Sequence, residues 1–111
     1  MLDERLEDQA MLIISNAGAA RSKAFEALSH ARKKDFGAAN EALKESQEFA
    51  HLSHDAHSEL LKMNAKGEVA QIDLLLTHAQ DHLMCAALAQ ELINEIVALR
   101  REMEERSWKW L

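Results

Sequence analysis

The sequence contains no proline, only three glycines and one cysteine, and aromatic residues make up 5% of its 111 positions. Without proline it lacks the strongest helix-breaking residue, and so few aromatic side chains give a β-sheet little to build on. Alanine, leucine, glutamate and lysine, which favour helix, are abundant instead. We therefore predict an all-α fold, formed as a single domain over residues 1–111.

The chain also has no excess of positive charge, no cysteine pair and no long apolar run. Its net charge of −6 argues against binding nucleic acid through a basic surface. Cys85 is the lone cysteine, so an internal disulfide is impossible, which fits a reducing cytoplasm. No continuous apolar run approaches the roughly 20 residues that span a bilayer, and the N-terminus lacks a signal-peptide pattern. These absences predict a cytoplasmic protein that does not insert into a membrane.

Two turn signals divide the chain into three predicted helices, at residues 3–34, 36–65 and 69–106. At the first turn, Lys33 and Lys34 suit a helix C-terminus. Asp35 is placed to cap the next helix, and Gly37 marks the break. At the second turn, Gly67 fits a left-handed C-cap. Because both connections are short, the helices should pack as an antiparallel up-down-up bundle.

Each predicted helix carries apolar residues at helical spacing. On the first helix they are Leu6, Ala10, Ile13, Ala17, Ala20, Ala24, Ala27 and Leu28. On the second they are Phe36, Ala39, Leu43, Ala50, Leu60 and Leu61. On the third they are Ile72, Leu75, Leu76, Ala79, Leu83, Ala86, Ile93 and Val97. We predict that these three stripes form the core of the protomer.

The third predicted helix carries a second stripe, about 140° around the helix from the first. It consists of Leu74, Asp81, Cys85, Leu88, Leu92, Ile96 and Leu99. A three-helix bundle needs only one apolar face per helix, and a contiguous exposed patch of this size is a liability. The stripe therefore predicts burial against other copies of the chain around a symmetry axis. It does not by itself choose between a dimer, a trimer and a tetramer.

Asp81 is the only charged residue within that second stripe. If the stripe lines a symmetry axis, several copies of Asp81 meet there. Like carboxylates in a dry seam must share protons or bind a cation. The alternative is an aspartate at the edge of the interface, hydrogen-bonded to a neighbour.

His78, Asp81 and His82 occupy positions i, i+3 and i+4 of an otherwise apolar segment. This spacing brings them onto one helical surface, where burying them unpaired would be costly. A neutral imidazole is a good nucleophile near physiological pH, and a second imidazole can donate a hydrogen bond to a transferred group. The alternatives are a metal-binding pair, or histidines that simply form hydrogen bonds in a core or interface. The spacing alone does not separate phosphotransfer from metal binding.

Three further histidines, His51, His54 and His57, lie on the second predicted helix. At i, i+3 and i+6 they fan over roughly 120° of helix surface, so one helix cannot direct all three at one ion. A polar helix face is therefore favoured over a metal site. His51 or His54 could also border the pocket around His78.

The segment around His78 is one of several motifs in the chain. The most specific is His78-Ala79-Gln80-Asp81-His82-Leu83-Met84, followed by Ala17-Gly18-Ala19-Ala20-Arg21-Ser22. Supporting motifs are Asp35-Phe36, Ala50-His51 and Gly67-Glu68. Together they resemble the enzyme IIA proteins of the lactose/cellobiose (also chitobiose) branch of the bacterial sugar phosphotransferase system. The resemblance covers nearly the whole chain.

This resemblance implies a homotrimer of three-helix protomers that relays phosphate during uptake of a β-linked disaccharide. His78 matches the family's phosphorylated histidine, which accepts a phosphoryl group from the phosphocarrier HPr and passes it to a cysteine of the cognate IIB component. His82 and Gln80 match residues of the pocket. Asp81 matches a buried carboxylate that binds a divalent ion, expected to be Mg²⁺, with one ion per trimer.

The chain departs from the family pattern at two places. His54 stands where many relatives have glutamine, and the tail that contains Trp108 and Trp110 is outside the pattern. We expect this tail to pack on the bundle or on a neighbouring subunit.

Two other functions are alternatives to the phosphocarrier. One is a helical metal-binding protein that uses His78 and His82, joined by histidines of the second helix. The other is a structural oligomeric adaptor that performs no chemistry. Cellobiose, chitobiose and lactose are not distinguished, because in this system the membrane IIC component selects the sugar.

Overall fold

The computed structural model describes residues 4–69 and 73–109, which form three helices. These are α1 (Glu4–Arg32), α2 (Phe36–Ala65) and α3 (Leu74–Lys109). At 1.5 Å per residue each helix is about 44 to 54 Å long, and the molecule measures 64 × 19 × 17 Å. All three helices therefore lie along the long axis. The predicted all-α three-helix bundle is confirmed, and the described residues contain no strand.

The turn between α1 and α2 reverses at Lys34. Its φ of 65° lies in the left-handed region that glycine favours. The Lys34 N–H donates to the carbonyl of Ala31 and the Asp35 N–H to the carbonyl of His30, both at 3.0 Å, which satisfies the last carbonyls of α1. Gly37 lies in the first turn of α2. The expectation that Gly37 marks the break is therefore wrong, because hydrogen bonds hold a lysine in the left-handed position.

Helix α3 was predicted over 69–106, but it begins at Leu74. The reason is Asp73, whose Oδ1 accepts a hydrogen bond from the N–H of Leu76 at 3.0 Å and so caps the first turn. The predicted end of α2 is confirmed, since Gly67 has a φ of 75°. The helix thus starts five residues later than the sequence pattern indicated.

Helix α1 lies between the other two helices and contacts both extensively, whereas α2 and α3 contact each other far less. Its buried face consists mostly of alanine, so the neighbouring helices can approach closely. Two serines of α2 are buried against it. The Ser46 hydroxyl donates to the carbonyl of Ala20 at 2.6 Å, and the Ser53 hydroxyl to the carbonyl of Ile13 at 3.1 Å. Both buried hydroxyls are therefore satisfied, which holds α2 in register on α1.

Most of the predicted core residues are buried, with a few exceptions. Leu61 is 52% exposed, so its assignment to the core is wrong. The neighbouring Leu60 takes the inward position, and one residue further is a rotation of about 100°. Five predicted core residues are half-buried: Leu28, Phe36, Ala50, Leu75 and Leu83. Ile72, the Trp108 side chain and Trp110 lie outside the part of the molecule that the structure describes.

The second stripe of α3 is exposed in the protomer. Leu74 is 84% exposed, and Leu88, Leu92, Ile96 and Leu99 are also exposed. The same holds for Asp81 and Cys85. This face of α3 therefore has no partner among the described residues of its own chain.

Helix α3 is also long and apolar enough to cross a membrane, by length and composition only. The candidate stretch is Leu74–Ser107, and 17% of its most apolar segment is buried inside the bundle. No continuous apolar run marks this helix in the sequence, because polar residues such as Gln80, Asp81 and His82 interrupt the apolar stretches. A single helix of this kind is weak evidence for a membrane span.

The Asp35 cap gives a first testable prediction. Its Oδ1 accepts a hydrogen bond from the Ala38 N–H at 3.1 Å, as expected for the N-cap of α2. Asp35→Ala should lower the free energy of unfolding by about 1 kcal/mol, because that N–H loses its partner. Asp35→Asn keeps an acceptor and should stay within about 0.5 kcal/mol of the original chain. Urea unfolding followed by circular dichroism measures both, and an equal loss in the two variants would contradict the capping role.

Candidate functional site

The candidate site lies on the first turns of α3, at the edge of its contact with α1. Ala79 and Ala86 are buried against the bundle, and this fixes the rotation of α3 about its axis. With that rotation His78 and Asp81 are exposed, and His82 is half-buried. The His78 ring is therefore accessible to another protein in the protomer.

The imidazoles of His78 and His82 contact each other directly. Their Nε2 atoms are 3.0 Å apart, and the rings meet edge to face with centroids 4.4 Å apart. A hydrogen bond between these two atoms requires that one Nε2 carry a proton and the other offer its lone pair. When His82 is the donor, the Nε2 atom of His78 is unprotonated and its lone pair accepts the hydrogen bond. The predicted proximity of the two histidines is thus present in the structure.

The two histidines line a surface depression of about 390 Å³ between α1 and α3. Its walls are formed by Ala17, Arg21, His78, Asp81, His82 and Cys85. The volume falls in the range of small-ligand sites. The structure therefore brings His78, Asp81 and His82 together, as their helical spacing indicated.

Arg21 and Cys85 also line the depression. The sequence placed Cys85 in the second stripe and assigned neither residue to the site. Arg21 belongs to the α1 motif quoted above, and it lies one turn beyond Ala17, whose small side chain leaves room at the helix contact. Its place in that motif was the signal that the sequence offered. It could not show which residues of α3 lie opposite, because this depends on how the helices pack.

Gln80 lies apart from the other predicted site residues within the protomer. It lines a second, smaller depression between α2 and α3 with Leu60, Leu61 and Asn64. Each step along an α-helix rotates the side-chain direction by about 100°. Gln80, two positions after His78, therefore lies about 200° around the helix from it. A role for Gln80 beside His78 therefore stays a prediction from the family resemblance.

The three histidines of α2 line a separate groove of about 600 Å³ between α2 and α3. Its walls are mostly apolar and include Leu83 and Met84. His51, His54 and His57 thus lie outside the depression that contains His78. Among the residues described, no group of three or more His, Cys, Asp or Glu side chains is arranged to hold a metal ion. This arrangement argues against a histidine-based metal centre within one protomer.

A divalent ion at Asp81 would need ligands from more than one chain. Carboxylate oxygens suit Mg²⁺, but this ion takes about six oxygen ligands, and the described residues that line this depression include a single carboxylate. Several copies of Asp81 around an axis, completed by water, would supply a hard oxygen set. Asp81 therefore fits the implied divalent ion only if several copies of the chain contribute ligands to it.

Comparisons with known proteins identify the family of the chain. The family model described as PTS system, Lactose/Cellobiose specific IIA subunit, matches residues 8–101. The chain is 38% identical over 101 residues to the PTS N,N'-diacetylchitobiose-specific EIIA component of Escherichia coli K12. The aligned region covers 91% of this chain and 87% of that protein.

Two solved structures are similar over nearly their whole length. One is the PTS cellobiose-specific enzyme IIA from Bacillus anthracis, with a TM-score of 0.88, 37% identity and 95% of each chain covered. The other is IIA(chitobiose) in its complex with HPr, with a TM-score of 0.79, 34% identity, and 93% of this chain and 99% of that one covered. The chain belongs to the lactose/cellobiose-specific IIA family of the phosphotransferase system.

Proposed function

We propose that this chain is the IIA phosphocarrier of a sugar phosphotransferase system. It accepts a phosphoryl group from HPr on His78 and passes it to a cysteine of the cognate IIB component. The observation that carries the proposal is the exposed His78 imidazole, hydrogen-bonded through Nε2 to His82 in an open depression. Family membership, and a structural relative that was solved in complex with HPr, favour this function over a metal-binding protein or an adaptor.

In this mechanism His82 prepares His78 and then stabilises the product. While the His82 Nε2–H donates to the His78 Nε2 atom, that nitrogen stays unprotonated, and this hydrogen bond must break before its lone pair can attack phosphorus. As the new N–P bond forms, the bond between phosphorus and the HPr donor atom breaks, and the electron pair stays with HPr. The His82 N–H is then free to donate to a phosphoryl oxygen. Phosphoryl transfer depends mainly on such positioning and charge stabilisation.

HPr and IIB must both reach the same nitrogen atom of His78. They therefore use the same surface in turn, and neither complex can be long-lived. The ring is exposed at the rim of the depression rather than enclosed, which supports access from outside the protomer.

We further propose that three copies assemble with their second α3 stripes around a common axis. The exposed leucines of that stripe support this, because a face of this kind is stable only when covered. Three Asp81 carboxylates would then meet and bind one divalent ion, taken to be Mg²⁺. Coverage by copies of the chain also accounts for the apolar character of α3 without a membrane.

The proposed relay takes place in the cytoplasm. The sugar is taken to be a β-linked disaccharide of the cellobiose, chitobiose or lactose type. This rests on the chitobiose, lactose and cellobiose components among the relatives.

The deciding experiment compares His78→Gln with the matched control His54→Gln. The chain is incubated with phosphoenolpyruvate, enzyme I and HPr, and acid-labile phosphate is located by mass spectrometry. The original chain and His54→Gln should be phosphorylated on residue 78, because His54 lies in a different groove. His78→Gln should gain no phosphate. Full phosphorylation of His78→Gln would overturn the proposal.

If His82 orients and stabilises the phosphoryl group, removing its imidazole should slow phosphoryl transfer, while His78 should still be the residue that is phosphorylated. His82→Ala should reduce the single-turnover rate of phosphorylation by phospho-HPr roughly tenfold to a hundredfold, since a hydrogen bond to a charged group contributes about 1.5–3 kcal/mol. His82→Gln retains an N–H donor and should recover part of the rate. An unchanged rate in His82→Ala would show that the second imidazole does not take part.

If Asp81 lies on the axis of the trimer, a variant with an apolar residue at this position should assemble without metal. Asp81→Leu removes repelling carboxylates from an apolar seam, and such replacements are often stabilising. Sedimentation equilibrium in the presence of EDTA should therefore find this variant trimeric at protein concentrations where the original chain is partly dissociated. Dissociation of Asp81→Leu into monomers would count against the axial position.

A further inference from the structure

Arg21 is the one lysine or arginine among the described residues that line the His78 depression. It comes from α1, whereas His78, Asp81 and His82 come from α3. The site is therefore built on both sides of a helix contact, and its cation and its nucleophile are supplied by different helices.

The charge of Arg21 is held in place but not neutralised. Its Cζ lies 5.3 Å from the centroid of the Phe25 ring, one turn along α1, in a cation–π contact. Arg21 forms no ion pair with any described residue, although Lys23, two positions away, contacts both Glu26 and Glu45. The guanidinium group is thus oriented by an aromatic ring and keeps its N–H donors available.

A phosphoryl group on His78 would need such a cation. Close to pH 7 it carries a charge between about −1.5 and −2, and Arg21 is the basic side chain that lines the same depression. His82 offers one N–H donor from its Nε2 atom, which is too few for three phosphoryl oxygens. The net charge of the chain, −6, repels such a group.

From these observations we propose that Arg21 binds the phosphoryl group of phospho-His78, and that it does so in transfer from HPr and in transfer to IIB. A planar guanidinium fork matches two phosphate oxygens at once, which a lysine ammonium group cannot do. Arg21 remains with the phosphoryl group when the partner proteins exchange. The inference rests on the proposed function, since it requires that His78 be phosphorylated.

The test measures single-turnover phosphoryl transfer in both directions, with Arg21→Gln, Arg21→Lys and the control Arg100→Gln. Arg100 is exposed on α3, about 33 Å along the helix from His78. Arg21→Gln should slow transfer from phospho-HPr and transfer to IIB by about tenfold each at saturating partner, a loss typical of one charge-assisted hydrogen bond. Arg21→Lys should recover part of this rate, and Arg100→Gln should behave like the original chain.

Chemical rescue separates phosphoryl binding from a structural role. In Arg21→Ala, added guanidinium ion should restore part of the saturated rate, whereas urea, its neutral counterpart in shape, should not. Circular dichroism and sedimentation verify that the variants remain folded and assembled.

Two results would overturn the assignment of Arg21 while leaving the phosphocarrier function intact. One is phosphorylation of Arg21→Gln at the rate of Arg100→Gln. The other is a defect in transfer from HPr alone, since it would mean that Arg21 contacts HPr and not the phosphoryl group. If the original chain gains no phosphate on His78, the proposed function itself fails.

Discussion

The structure depends on the close packing of α2 and α3 against the alanine face of α1. Alanine at six positions between Ala10 and Ala31, each no more than 2% exposed, lets both helices approach the same central helix. The bonds from Ser46 and Ser53 to α1 carbonyls depend on this approach, because a serine side chain is too short to bridge a wider gap. With α1 in the middle, α2 and α3 contact each other little, which leaves the groove between them.

This packing decides where the chemistry lies. Helix α3 buries one face against the bundle, with Ala79 and Ala86 beside the site and Ile93 and Val97 further along the helix. Its remaining apolar face has no partner in the protomer, and the polar cluster around His78 lies at the boundary between the two faces. A histidine at such a boundary is oriented by packing on one side and accessible to partner proteins on the other. The proposed trimer and the proposed relay therefore draw on the same feature of α3.

The sequence predicted those features that one helix determines by itself. The contact between His78 and His82 follows from i, i+4 spacing, and it was predicted. The position of Arg21 beside them was not, because it depends on the rotation and register of α1 against α3. The late start of α3 was missed since Asp73 was not considered as a cap. The left-handed Lys34 contradicts the usual preference for glycine, and only its backbone hydrogen bonds reveal the reason.

A phosphocarrier must release the phosphoryl group that it binds, so its site cannot bind that group too tightly. In the proposed relay, Arg21 and His82 attract the phosphoryl oxygens, whereas the net charge of the chain, −6, repels them. Opposing contributions of this kind keep the N–P bond reactive toward the next acceptor while the transferred group stays oriented. An exposed depression acts in the same direction, because solvent weakens each charge interaction compared with a buried site. The open geometry around His78 is thus what a transient carrier requires, and a deeper pocket would hold the phosphoryl group too firmly to pass it on.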